Sequence, residues 1–184
     1  MQLDERLSAT IQAIHAAPSR LVYAFAGAGS LALCWLHAVP GSSRTVLEAR
    51  DCYAPRALGG LLGQAPAQAV SDATARAMAV WARERATVLA EGDWPLLGVA
   101  CTGAIATDRA RKGANRAIVA VCGGATTVSY ELRLTKGLRD REQEETLASR
   151  LVILALARAC GLPGVELALG AGEQVQRRGD GVGE

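Results

Sequence analysis

Apolar residues recur at Leu3, Leu7, Ile11 and Ile14, a helical spacing that predicts an amphipathic helix stopped by Pro18. Leu21–Phe25 is short and continuously apolar, as a buried strand is. A tight turn, Ala26-Gly-Ala-Gly-Ser30, follows it, and Leu31–Ala38 reads as the helix that opens from this turn. Pro40-Gly-Ser-Ser43 breaks the helix. The pattern then predicts a strand within Arg44–Tyr53 and a short helix over Pro55–Leu62 that ends at Gly63. Ser71 is suited to cap the next helix, whose inner face carries Ala75, Met78, Ala79, Ala82, Ala86 and Leu89. Leu96–Cys101 reads as a central strand. Ala117–Cys122 and Ala125–Leu134, joined at Gly123-Gly124, form a β-hairpin pattern. Leu147, Leu151, Leu154 and Ala155 mark a last long helix that stops near Gly161.

Alternating helices and strands predict an α/β fold, a layered domain with a central sheet flanked by helices. The hairpin makes that sheet mixed. Residues 1–168 are expected to form this domain. Residues 169–184, with five glycines after Leu169 and mixed charges, are expected to be a flexible Gly-rich tail.

Composition narrows the function. The 184 residues fit one domain, and half of them are apolar but only 4% aromatic. Such a core depends on close backbone packing. The formal net charge of +2 and the absence of a basic stripe leave no nucleic-acid signature. No apolar run reaches membrane-spanning length, so no membrane partner is expected. The N-terminal residues do not read as a signal peptide. The five cysteines match no zinc or CxxC spacing, which suggests reduced thiols, no metal, no cofactor and a cytoplasmic protein.

Several residues carry candidate chemistry. Gly27, Gly29 and Ser30 could cradle a phosphate at a helix N-terminus, or simply permit a sharp turn. Ser42 and Ser43 could contact phosphate or supply a hydroxyl nucleophile, or only shape a turn. Thr102 ends a predicted strand, where the ligand crevice of an α/β sheet lies. Its neighbour Cys101 is flanked by apolar residues and reads as inert core. Lys112 and Arg116 could bind an anion or solvate a loop.

Five strings occur in order: Val39-Pro-Gly-Ser-Ser43 with Tyr53 and Leu61-Leu-Gly63; Val70-Ser71 with Ala75-Arg-Ala-Met78; Val99-Ala-Cys-Thr-Gly103; Lys112 before a strand; and Arg139-Asp-Arg141. Together they resemble the C-terminal domain of the CinA family, whose members include nicotinamide mononucleotide amidohydrolases. The resemblance covers roughly residues 5 to 160, a span of ordinary domain size. It implies a CinA C-terminal-like fold, a nucleotide-sized pocket, a pyridine nucleotide as small-molecule ligand and a homo-oligomer, taken as a dimer. It makes Tyr53 a pocket wall, Thr102 a site residue and Arg141 a phosphate contact. Where active members of the family carry serine and threonine in the turn after the first strand, this chain has Ala26 and Ala28. Leu58 stands where the family has lysine, and Glu145 where it has arginine. Leucine can neither transfer a proton nor stabilise charge, and loss of a general base costs about a hundredfold to ten-thousandfold in rate. The resemblance therefore implies a catalytically altered or inactive relative. One alternative is an active amidohydrolase that uses Ser30 or Ser43 with Lys112 as base. Another is a non-catalytic assembly module of a larger nucleotide-metabolism protein.

Overall fold

The structure, a computed structural model, describes residues 3–108 and 112–179. Its elements are α1 (Glu5–Ala16), β1 (Arg20–Ala26), α2 (Ser30–Ala38), β2 (Val46–Asp51), α3 (Pro55–Leu62), α4 (Asp72–Leu89), β3 (Leu96–Ala104), β4 (Asn115–Gly123), β5 (Thr126–Leu134), α5 (Arg141–Ala159) and β6 (Gln174–Gly179). A 3₁₀ turn at Ser42–Arg44 leads into β2. The strands form one sheet in the order β2-β1-β3-β4-β5-β6. β1 pairs parallel with β2 and β3, and the remaining pairs are antiparallel.

Local chemistry explains the boundaries. Asp4 caps α1 by accepting from the Leu7 N–H at 2.8 Å, and Ser71 caps α4 by accepting from Thr74 at 3.1 Å. Asp140 and Gln143 make a reciprocal capping box at α5. Pro55 opens α3, and Gly63 closes it in the left-handed conformation. The β4–β5 hairpin turns on Gly124-Ala125, one residue later than the Gly-Gly pair suggests, with φ +61° at Gly124.

Side-chain alternation along β1 divides the core. Leu21, Tyr23 and Phe25 face α1, α2 and α5, while Ala24 and Ala26 face α3 and α4. The second layer is thin because α4 presents Ala75, Met78, Ala79, Ala82 and Ala86 to the sheet, all buried. At Gly98 the helix backbone lies directly on β3. A Cβ there would collide with the Ala79 carbonyl and the Arg83 N–H.

The C-terminal expectation is corrected. Residues 174–179 are not a loose tail but the edge strand β6, antiparallel to β5. Val175 packs on the core, and Arg178 donates to the buried Glu131 carboxylate at 2.9 Å. Glu173 roots the strand by accepting from Gly170 N at 2.7 Å, from Thr135 N at 3.2 Å and from Arg139. One apolar residue plus ionic anchors gave no hydrophobic period to read. Residues 180–184 lie outside the described residues, as do Arg109–Arg111 in the β3–β4 connection. Among the described residues no helix is long and apolar enough to cross a membrane.

Candidate functional site

The β1–α2 turn sits where the carboxyl ends of the parallel strands β1, β2 and β3 meet. Gly27 and Gly29 hold φ of +80° and +95°, conformations that favour glycine. A Cβ on Gly27 would overlap the Gly103 carbonyl, and one on Gly29 would overlap the Tyr23 hydroxyl. The turn is thus pressed against the end of β3. Tyr23 fixes it from below, its hydroxyl donating to the Gly29 carbonyl at 2.9 Å. Burial raises the Tyr23 pKa well above the usual tyrosine range, so it stays a donor.

Gly29 is the N-cap of α2 and offers no side chain to the helix's first N–H groups. Glu145, from the second turn of α5, supplies the missing acceptor. The Gly29 N–H donates to both its carboxylate oxygens at 3.0 Å, and the Leu31 N–H to Oε1 at 3.1 Å. The Ser30 and Ser149 hydroxyls donate to the same Oε1 at 3.0 and 3.2 Å. The cradle suited to a phosphate therefore already holds an anion, and that anion belongs to the chain. Favourable dipole and N–H geometry at a helix start serve a carboxylate as they serve a phosphate.

A cleft of about 220 Å³ opens beside this contact, lined by Phe25, Gly27, Ala28, Ser30, Asp51, Tyr53, Arg141 and Glu145. Arg141 reaches across and donates to the Ala106 carbonyl at 2.9 Å. The neighbouring Glu144, fully buried, takes the Ala106 N–H at 2.6 Å and Asn115 Nδ2 at 2.9 Å. Arg141 and Glu144 together pin the β3–β4 loop to the head of α5. Tyr53 stands at the rim, 68% exposed.

A competence/damage inducible protein from Agrobacterium tumefaciens superposes with a TM-score of 0.65 at 21% identity, covering 88% of this chain and 99% of that one. A competence-damaged protein (CinA) superfamily protein from Escherichia coli gives 0.66 at 21% identity, covering 86% and 94%. A CinA superfamily protein from Klebsiella pneumoniae gives 0.67 at 18% identity, covering 87% and 99%. This chain has the CinA fold. Its sequence matches no family model and no curated protein.

Within the CinA fold the predicted site residues separate into three groups. Gly27, Gly29, Ser30, Tyr53 and Arg141 do gather at one cleft. Ser42 and Ser43 do not. They precede β2, whose start pairs with Leu21 at the start of β1, so they lie at the opposite edge of the sheet. A strand of six residues, about 3.3 Å per residue, separates the two edges. Ser42 is paired there with His37 Nδ1 at 2.6 Å on an exposed surface, and Ser43 is exposed. Thr102 lies at the correct edge but is fully buried, its hydroxyl donating to the Ala69 carbonyl at 2.7 Å. Lys112 is on the same edge, exposed and outside the cleft lining. Arg116 is structural, donating to the Val70 carbonyl at 2.6 Å. At the 27–30 turn the space is thus a small cleft, below the 300–1,000 Å³ of ordinary ligand sites.

Ala26 and Leu58 share one buried apolar cluster with Cys52, Leu61 and Met78. Burial pushes the Cys101 thiol far above the usual cysteine range, which suits an inert core residue. All five cysteines are free, and Cys34 is exposed. Sequence reasoning missed the occupancy of the cradle by Glu145 and the contribution of Asp51. The readable signal was a helix start with glycine at its N-cap and therefore an unmet need for an acceptor.

Proposed function

We propose that this chain is a non-hydrolysing counterpart of the nicotinamide-nucleotide amidohydrolases, binding a small ligand at the 27–30 turn without cleaving it. One observation carries the reading: the Glu145 carboxylate fills the N-terminal cradle of α2. A phosphate brought there would meet an anion already in place, and like charges in one site disfavour each other. The apolar environment of Ala26 and Leu58 supports the absence of a nucleophile and base at those positions. Asp51 and Glu145 outnumber Arg141, which is tied to the Ala106 carbonyl, and with Tyr53 beside Phe25 they give the cleft the character of a site for a flat cationic ring. A pyridinium nucleoside fits that chemistry better than its 5′-phosphate.

The test uses purified protein with nicotinamide riboside and nicotinamide mononucleotide. Ammonia release should stay at background for both. Thermal shift should be larger for the riboside, because a ligand stabilises a fold according to its affinity. Glu145→Arg should reverse the order of the two ligands. A shift with neither compound would refute the ligand assignment.

The Ser30–Glu145 hydrogen bond favours a second reading, in which Ser30 is a relocated nucleophile with a carboxylate as its base. Turnover on either compound that disappears in Ser30→Ala would establish it and overturn the first.

A further inference from the structure

A separate cavity of about 200 Å³ lies at the opposite edge of the sheet, between the β4–β5 hairpin and the end of α5. Leu97, Val121, Val128 and Ala155 form its apolar walls. Four polar side chains line it: Tyr130, and the exposed Thr126, Arg158 and Arg177 at its mouth. Tyr130 is 7% exposed, and its phenol makes no hydrogen bond to another described residue. Arg177 stands directly opposite Tyr130 in the β5–β6 ladder, so the two project from the same face. Arg158 approaches from the last turn of α5. Neither arginine forms an ion pair or hydrogen bond among the described residues, and no acidic residue lines the cavity.

A guanidinium at a helix end has one ordinary explanation, compensation of the helix dipole, and that accounts for Arg158 alone. It does not account for Arg177, which stands beside the Tyr130 hydroxyl at the mouth of the same cavity. Two guanidiniums at the mouth can only donate, the Tyr130 hydroxyl can add a further donor, and the interior offers only apolar contact. That combination selects an anion with a compact hydrophobic body. Guanidinium geometry matches a carboxylate through paired N–H bonds. An apolar cavity of about 150 Å³ holds a benzene ring, so one of about 200 Å³ has room for a ring carrying a carboxylate.

We propose that this cavity binds a small aryl carboxylate, with the ring against Leu97, Val121 and Val128 and the carboxylate between Arg158, Arg177 and the Tyr130 hydroxyl. The site is independent of the 27–30 cleft and of the function proposed for it.

Calorimetric titration of the full chain with benzoate tests the assignment, with benzamide and acetate as comparators. Benzoate should bind saturably. Benzamide, which keeps the ring and loses the charge, should bind about tenfold more weakly, and acetate, which keeps only the charge, should bind more weakly still. Arg158→Gln combined with Arg177→Gln should weaken benzoate about tenfold or more with little change for benzamide. Ala155→Leu, which fills the cavity, should abolish binding of both aromatic compounds. Melting curves show whether each variant is folded, and the comparison of benzoate with benzamide on the unaltered chain needs no variant. Equal affinity for the two, or no saturable benzoate binding, overturns the proposal.

Discussion

Glu145 and His15 are both held by contacts far away in sequence, and each gives a measurable consequence. Glu145 joins α5 to the first turn of α2 through backbone N–H groups that Gly29 cannot cap. Glu145→Ala should lower stability by about 1–3 kcal/mol, the cost of leaving such donors unmet, as read from urea unfolding. His15 is 1% exposed, with Nδ1 at 2.9 Å from the Thr45 hydroxyl and Nε2 at 2.9 Å from the Leu36 carbonyl. Burial lowers its pKa below the ordinary histidine value of 6.5. The unfolded chain therefore binds the proton more readily than the native one. The His15 contribution to stability is complete above that value and is lost as pH falls below it toward the native pKa. Melting temperature should decline from pH 7 to pH 5, and His15→Gln should flatten that part of the profile. The sequence does not mark the partners of His15, which lie 30 and 21 residues away. It could not show Glu145 as an occupant, because the partner turn lies 116 residues away.

Helices and internal strands were legible because each carried both a hydrophobic period and a stop. Ser71, Asp140, Pro55 and Gly63 all sit at the element ends where their capping chemistry places them. The edge strand β6 was not legible, since it is held by ions and not by apolar burial. Glu173 has a side chain only 1% exposed, against Arg139. Burial alone would raise its pKa, but the Gly170 N–H, Arg139 and the Thr135 N–H outweigh that and hold it below the usual carboxylate range. Breaking such a buried pair from one side costs about 3–5 kcal/mol. Glu173→Ala should therefore loosen β6 and raise amide exchange along β5, with β1 and β3 still protected. The scattered site residues have a related cause. A proline-glycine-serine turn has the same letters at either edge of a sheet, and only the parallel pairing of β1 with β2 shows that Ser42 and Ser43 lie at the far one.

Across the whole molecule, small residues set the distance between layers. α4 rests on β3 at Gly98 with no side chain between them. Gly98→Ala should destabilise by about 1–3 kcal/mol or more through overpacking, since the obstruction is helix backbone and cannot rotate away. Circular dichroism during thermal unfolding would register the loss, and no change would show that the two layers can separate cheaply. The tie from Glu145 to the α2 turn also closes a loop of more than a hundred residues. Contacts of such long range reward the chain only after its closure entropy has been met, so this one should form after the folding barrier. It then acts on escape from the native state. Glu145→Ala should leave the folding limb of a chevron plot nearly unchanged and steepen the loss of native protein with time, which makes this carboxylate a determinant of native lifetime.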